Sequence, residues 1–155
     1  MIPIFLQDSM IDELNELFAN FRSKNVKGEM VPLNIYPQSL PARKAQKDTA
    51  HYPFIVVKLL DGEDPDETSS NTCKLYFHCG IWDDNENMQG HRDCMNILQK
   101  LYEHLMRKRM FAGKFIIEYP IRWTLTEEDY YPYYYGGLET NWTIGKVTMP
   151  DDDLT

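Results

Sequence analysis

Residues 72–82 alternate between apolar and polar side chains, and this pattern constrains the fold more than any other part of the chain. The apolar positions are Cys73, Leu75, Phe77 and Cys79, and the polar ones between them include Lys74, Tyr76 and His78. Successive side chains of a strand point to opposite faces of a sheet, so the segment predicts a strand with one buried face. Residues 53–60 are rich in β-branched side chains and predict a second strand. The segment between them, 61–71, is acidic and rich in turn-forming residues, so we expect an antiparallel hairpin with an exposed loop.

Two segments have the apolar spacing of amphipathic helices. In residues 9–25 the shared face carries Met10, Ile11, Leu14, Leu17, Phe18 and Phe21. Ser9 is the expected N-cap, because its hydroxyl can accept from the first free backbone N–H groups. In residues 88–109 the shared face carries Cys94, Ile97, Leu98, Leu101, Leu105 and Met106. The cations that close this second segment suit the negative end of a helix dipole, so they need no nucleic-acid partner.

These elements predict one α+β domain over residues 1–155. Shorter strand patterns occur at 30–35, 114–125 and 139–147, which gives the order αβββαββ. Because strands and helices do not alternate throughout, we expect a mainly antiparallel sheet of about five strands with two helices packed on one face. Residues 42–50 and 61–71 are expected to be exposed loops, and residues 150–155 an acidic C-terminal tail.

Charge and hydropathy exclude several classes of function. The formal net charge is −8, which repels nucleic-acid phosphates and anionic lipid surfaces. No apolar run approaches the roughly 20 residues that cross a bilayer. The first residues lack the basic and apolar regions of a secretory signal, and an odd number of cysteines, three, suits a reducing compartment. We therefore expect an intracellular protein that does not bind DNA tightly.

Candidate chemistry is confined to a weak set of metal ligands. His91 and Cys94 are three residues apart on the second helix, and Cys79 ends the strand that leads to it, so a zinc site is conceivable. Paired C-x-x-C ligands are absent, and all three cysteines lie at predicted core positions, where a free thiol acts as a small apolar group. Neither a nucleophile elbow nor a phosphate-binding loop occurs. We expect no enzyme active site, no bound metal and no cofactor.

The most unusual feature is a cluster of five tyrosines within six positions, 130–135. The cluster consists of Tyr130, Tyr131, Tyr133, Tyr134 and Tyr135, and Trp142 follows it. So many rings cannot all face one core, and tyrosine is common at protein interfaces because it combines a large rigid surface with a hydroxyl. We predict a protein interface at these six residues, with Arg43, Lys44 and Lys47 of the 42–50 loop as further contacts. The alternative is that the rings only cover the sheet.

Several short stretches in a fixed order resemble one protein family. They are residues 53–58, 60–62, 75–80, 89–93, 119–123 and 131–136, followed by Trp142. Together they resemble a tail terminator, or a related tail-completion protein, of long-tailed bacteriophages and prophages, over about residues 53–150. The resemblance implies a small α+β structural protein without catalytic residues. It also implies assembly into a hexameric ring that caps the tail tube and helps to form the surface for head-tail joining.

The resemblance carries further expectations about partners and place. The partners would be other copies of the chain, the tail tube protein and the head-tail connector, with DNA only passing through the channel. The protein would assemble in the cytoplasm of the bacterial host and remain in the virion tail. Two alternatives stay open: a ligand-binding or regulatory module that uses the tyrosine segment, and a zinc-dependent enzyme.

Overall fold

The computed structural model describes residues 2–42 and 50–145. Within them two helices and eight strands form. They are α1 Ile2–Leu17, β1 Arg22–Lys24, β2 Met30–Pro32, β3 Asn34–Pro37, β4 Phe54–Glu63, β5 Asn71–Trp82, α2 His91–Lys108, β6 Met110–Phe111, β7 Phe115–Leu125 and β8 Tyr133–Gly145. The α+β class is as predicted at this coarse level.

The sheet differs from the prediction in size, direction and order. In the described part of the chain, six strands are arranged β3-β4-β5-β8-β7-β6, and β1 and β2 form a separate hairpin. β3 runs parallel to β4, whereas the other neighbouring strands are antiparallel, so the sheet is mixed. The predicted order αβββαββ was wrong because β1, β2 and β6 are only two or three residues long. Strands of two or three residues are too short to show an alternating pattern in the sequence.

Both helices pack on one face of the sheet. The main core joins the apolar side of β5, including Leu75 and Phe77, to Leu14 of α1 and Leu101 of α2, all of them fully buried. Each such side chain contributes about 1.5–3 kcal/mol when fully buried. The opposite face carries a smaller aromatic cluster around Phe54.

α1 begins seven residues before the predicted start. Leu6, Met10 and Leu14 are fully buried at a spacing of four, so the apolar face extends towards the N-terminus beyond Ser9. Ser9 therefore lies inside the helix and is not its N-cap. The helix ends at Leu17, not near residue 25, because the chain turns there and enters β1.

The predicted loops are described only in part. β4 extends to Glu63 and β5 begins at Asn71, so the exposed connection is 64–70, shorter than the predicted 61–71. Residues 43–49, with Arg43, Lys44 and Lys47, and the predicted tail 150–155 lie outside the described residues. No described helix is both long enough and apolar enough to cross a bilayer.

Candidate protein-protein interface

The outer edge of β7 is the longest unpaired strand edge in the described residues. β6 pairs only with Phe115 and Ile116. At the next residue, the Ile117 N–H donates to the carbonyl of Arg109, and the Arg109 guanidinium donates to the carbonyl of Ile117. No described strand lies outside the rest of β7. The N–H of Thr126 donates to the carbonyl of Tyr135, so it points towards β8. In an antiparallel ladder these directions alternate, so the N–H groups of Thr124 and Arg122 also point towards β8. The N–H groups of the residues between, including Trp123, therefore face outwards and can pair with another chain.

A bulge in β7 turns one aromatic side chain outwards. Glu118 pairs with Asn141, whereas Arg122 pairs with Glu139, so β7 spans four residues where β8 spans two. The Asn141 side-chain amide donates to the carbonyl of Pro120 at 2.7 Å and holds the bulge in place. Tyr119, inside the bulge, is 65% exposed. Bulges commonly redirect side chains in this way at the edge of a sheet.

Three residue types that dominate binding hot spots meet along this edge. Trp123 is 60% exposed, and Arg122 beside it is also exposed. The guanidinium carbon of Arg109 lies 5.3 Å from the centroid of the Tyr119 ring, close enough for a cation-π contact. Trp, Tyr and Arg are the residues most often found at interface hot spots. The composition of this edge is therefore that of a protein interface.

A groove of about 500 Å³ runs between β7 and α2 beside this edge. Its lining consists of Met95, Leu98, Gln99, Tyr102, Ile121, Trp123 and Leu138, none of which is charged. Leu98 and Leu138 form a buried floor, and Trp123 stands at the rim. We call this groove, together with Tyr119, Arg122 and Trp123, the β7 edge surface. It offers an apolar recess beside free backbone groups.

The predicted tyrosine interface is divided between several environments. Tyr130 and Tyr131 are exposed, and the Tyr131 hydroxyl donates to the carbonyl of Asp84. The other three are part-buried: Tyr133 and Tyr135 pack on the aromatic cluster behind the sheet, and Tyr134 packs against the main core. Of the five rings, Tyr130 and Tyr131 are the most exposed, at 51% and 37%.

The prediction that Trp142 belongs to the interface was wrong, because this side chain is fully buried in the core. Its indole N–H donates to the Thr140 hydroxyl at 2.8 Å, and that hydroxyl donates to the carbonyl of Leu75 at 2.9 Å. It occupies the inward side of β8, opposite Cys73 of β5. The position of the other predicted contacts, Arg43, Lys44 and Lys47, is outside the described residues.

Two of the three candidate zinc ligands, Cys79 and Cys94, come together, but not as a metal site. Cys79 and Cys94 are fully buried and hydrogen-bonded to each other, and this bond, with burial, raises the pKa of Cys79 well above its ordinary value. A thiol in that state is a poor metal ligand. His91 instead begins α2 and lines a cavity of about 250 Å³ with Tyr130, Asp129 and their neighbours. Across the described residues no three His, Cys, Asp or Glu side chains are grouped to hold a metal ion.

The site residues of β7 were missed at the level of sequence, although one signal was present. Pro120 stands within a strand pattern, and proline lacks the N–H that a central strand needs. A proline there indicates an edge strand, and an edge strand with Tyr119 and Trp123 indicates an exposed aromatic surface.

Comparison of the sequence with models of protein families gave no match. Comparison with curated proteins also gave none.

Proposed function

We propose that the chain is a structural protein of phage or prophage assembly, resembling a tail terminator that caps the tail tube and contributes to head-tail joining. The observation that carries the proposal is the β7 edge surface, where Tyr119 and Trp123 are exposed beside an unpaired strand. In monomeric proteins such an edge is usually covered or carries charged residues, so an exposed aromatic edge favours a protein that functions within an assembly. In this role the chain binds other proteins and catalyses no reaction.

The charge of the chain supports the same role. A formal charge of −8 per copy, repeated around a ring, gives a channel that repels DNA phosphates. DNA would then pass through the ring without being held. The partners in this proposal are further copies of the chain, the tail tube protein and the head-tail connector. Assembly would take place in the bacterial host cytoplasm, and the ring would stay in the virion tail.

The proposal is tested by measuring self-assembly of the whole chain. Light scattering after size-exclusion chromatography, with and without the tail tube protein, should show a closed oligomer of defined mass. Tube polymerisation should also stop when the chain is added. A chain that stays monomeric at high concentration, both alone and with tube protein, would sink the proposal.

A second candidate function rests on the cavity of about 250 Å³ beside the tyrosine segment. Rings from Tyr130, Tyr133 and Tyr135 line it together with Glu128 and Asp129, a combination that suits a small polar ligand. A ligand there should change tyrosine fluorescence in the wild type and not in Tyr130→Ala. Saturable binding without self-assembly would favour this function over the structural one.

A further inference from the structure

The β7 edge surface contains a short stretch of backbone that is free to pair with another strand. The C=O and N–H of one trans peptide unit point in opposite directions. The N–H of Thr126 points towards β8, so the carbonyl of Leu125 points outwards. The carbonyl of Pro120 accepts from a side chain of β8, so the N–H of Ile121 also points outwards. Trp123 lies midway, and the alternation of the ladder turns its N–H and carbonyl outwards as well.

The side chains of this stretch are divided between the two faces of the sheet. Ile121, Trp123 and Leu125 lie on the face that carries the helices: the first two line the groove, and Leu125 packs against the main core. Arg122 and Thr124 alternate with them, so they lie on the opposite face, and both are exposed. The apolar side chains are therefore placed symmetrically about Trp123.

We propose that two copies of this chain join through their β7 strands, which pair antiparallel about a two-fold axis at Trp123. Trp123 then lies opposite Trp123 of the second copy, and Ile121 lies opposite Leu125 of the second copy. Each of these pairs exchanges its outward N–H and carbonyl groups in hydrogen bonds. The axis is perpendicular to the sheet, so the helices of both copies lie on the same face. The two apolar grooves therefore meet around the paired indole rings.

The side chains of β7 favour this register over the neighbouring ones. Sliding the pairing one step towards the bulge would place Arg122 directly opposite Arg122 of the second copy, and like charges directly opposite are destabilising. Sliding it one step the other way would place Ile121 opposite the charged Glu127 of the second copy. In the proposed register Arg122 lies opposite the uncharged Thr124, and each apolar residue lies opposite another.

This contact goes beyond the proposed function. A two-fold contact uses the same surface on both copies and closes at two copies. The ring of the proposed function needs a further contact between different surfaces. The pairing of two copies is therefore measured separately from the capping of a tube.

Single cysteine substitutions in the full chain test the register. Trp123→Cys should form a disulfide between two copies under mild oxidation, because directly opposite Cα atoms in a hydrogen-bonded pair are about 5.5 Å apart. Arg122→Cys and Thr124→Cys should not, because each residue lies diagonally from its own copy, roughly 7–8 Å away. The native cysteines are all buried, so the introduced thiol is the exposed one. Non-reducing gel electrophoresis, at concentrations where the chain is paired, measures the cross-link.

A charge substitution tests the contact with the indole in place. Thr124→Lys puts a second cation opposite Arg122 of the other copy and should raise the concentration at which half of the chains are paired by roughly three- to tenfold. Thr124→Glu puts a carboxylate there and should lower that concentration. Glu16→Lys, at an exposed position of α1, should leave it unchanged. Sedimentation velocity measures pairing, and circular dichroism checks that each variant is folded.

The possible results separate this contact from the proposed function. A cross-link in Arg122→Cys or Thr124→Cys instead of Trp123→Cys, or in none of the three, would overturn the contact. Equal pairing of the Thr124→Lys and Thr124→Glu variants would also overturn it. A wild type that is monomeric alone but forms a closed oligomer with tube protein would overturn the contact and leave the proposed function standing. Pairs that cross-link as expected but never cap a tube would support the contact and overturn the proposed function.

Discussion

At the scale of single residues, Thr140 connects the largest buried side chain to the neighbouring strand. Its hydroxyl accepts from the indole N–H of Trp142 and donates to the carbonyl of Leu75, all in the core. A buried indole N–H needs an acceptor, and here the Thr140 hydroxyl provides it. Thr140 therefore allows a tryptophan to fill the core without an unpaired donor.

We expect Thr140→Val to lower the free energy of unfolding by about 1–3 kcal/mol, since the shape is kept while a buried donor loses its partner. Urea denaturation followed by tryptophan fluorescence measures this change. Thr124→Val, at an exposed position of β7, is the matched control and should have a much smaller effect. Equal effects of the two substitutions would show that the buried hydroxyl contributes nothing specific.

Trp142 also shows what the sequence could have predicted and did not. Leu138, Thr140, Trp142 and Ile144 are buried and alternate with less buried residues along β8. This is the same period of two that identified the buried face of residues 72–82. The tyrosine segment before it lacks this alternation, and grouping Trp142 with the tyrosines by composition gives the wrong prediction that it lies on the surface. Which of the tyrosines face outwards depends on the turn before β8, and no local pattern specifies that turn.

At the scale of elements, one ion-pair cluster joins the two helices. Glu13 of α1 binds His104 at 2.8 Å and Lys108 at 2.6 Å, both on α2. Partial burial opposes ionisation of Glu13, but its hydrogen bonds to Lys108 and His104 outweigh this, and the pKa is lowered from its ordinary value. The carboxylate is therefore more stable in the folded chain than in the unfolded one.

A lowered pKa makes this contribution depend on pH. It is fully present above the ordinary pKa of a glutamate and is lost as the pH falls through the lowered value. We expect Glu13→Gln to reduce the free energy of unfolding by about 0.5–1 kcal/mol at pH 7, since the cluster is partly solvated. At a pH below both the ordinary pKa of glutamate and the lowered pKa of Glu13, the variant and the wild type should be equally stable. Glu16→Gln, exposed on the same helix, should show no such difference between the two pH values, and a pH-independent effect of Glu13→Gln would contradict the ionic origin.

The elements that were predicted correctly are those in which buried residues recur at a regular spacing along the chain. β5 and α2 each have one face in the core, so their periods of two and near 3.6 residues are visible in the sequence. β3 is different, because it is only four residues long and pairs in parallel with β4, a strand that lies further along the chain. The β7 edge surface depends on which strands are neighbours, a property of the whole sheet that no single segment contains.

At the scale of the whole molecule, the net charge of the chain opposes its self-assembly. Copies of charge −8 repel one another at any orientation. For two domains with centres roughly 30 Å apart, Coulomb's law with screening gives about 3 kcal/mol of repulsion at 0.01 M salt and about 0.2 kcal/mol at 0.15 M. Contacts made at the β7 edge surface act over a few ångströms, well within a Debye length, so salt weakens them less.

We therefore expect salt to strengthen self-assembly. Between 0.01 M and 0.15 M sodium chloride the concentration for half-assembly should fall, because the long-range repulsion lost exceeds the short-range attraction lost, and the apolar contact at Trp123 is insensitive to salt in this range. Sedimentation velocity at a series of salt concentrations measures the shift. Trp123→Ala, which removes the apolar contact and leaves every charge in place, should weaken assembly at all salt concentrations while keeping the same direction of the salt effect. Assembly that weakened steadily with added salt would mean that ion pairs, and not apolar burial on the β7 edge surface, dominate the contact.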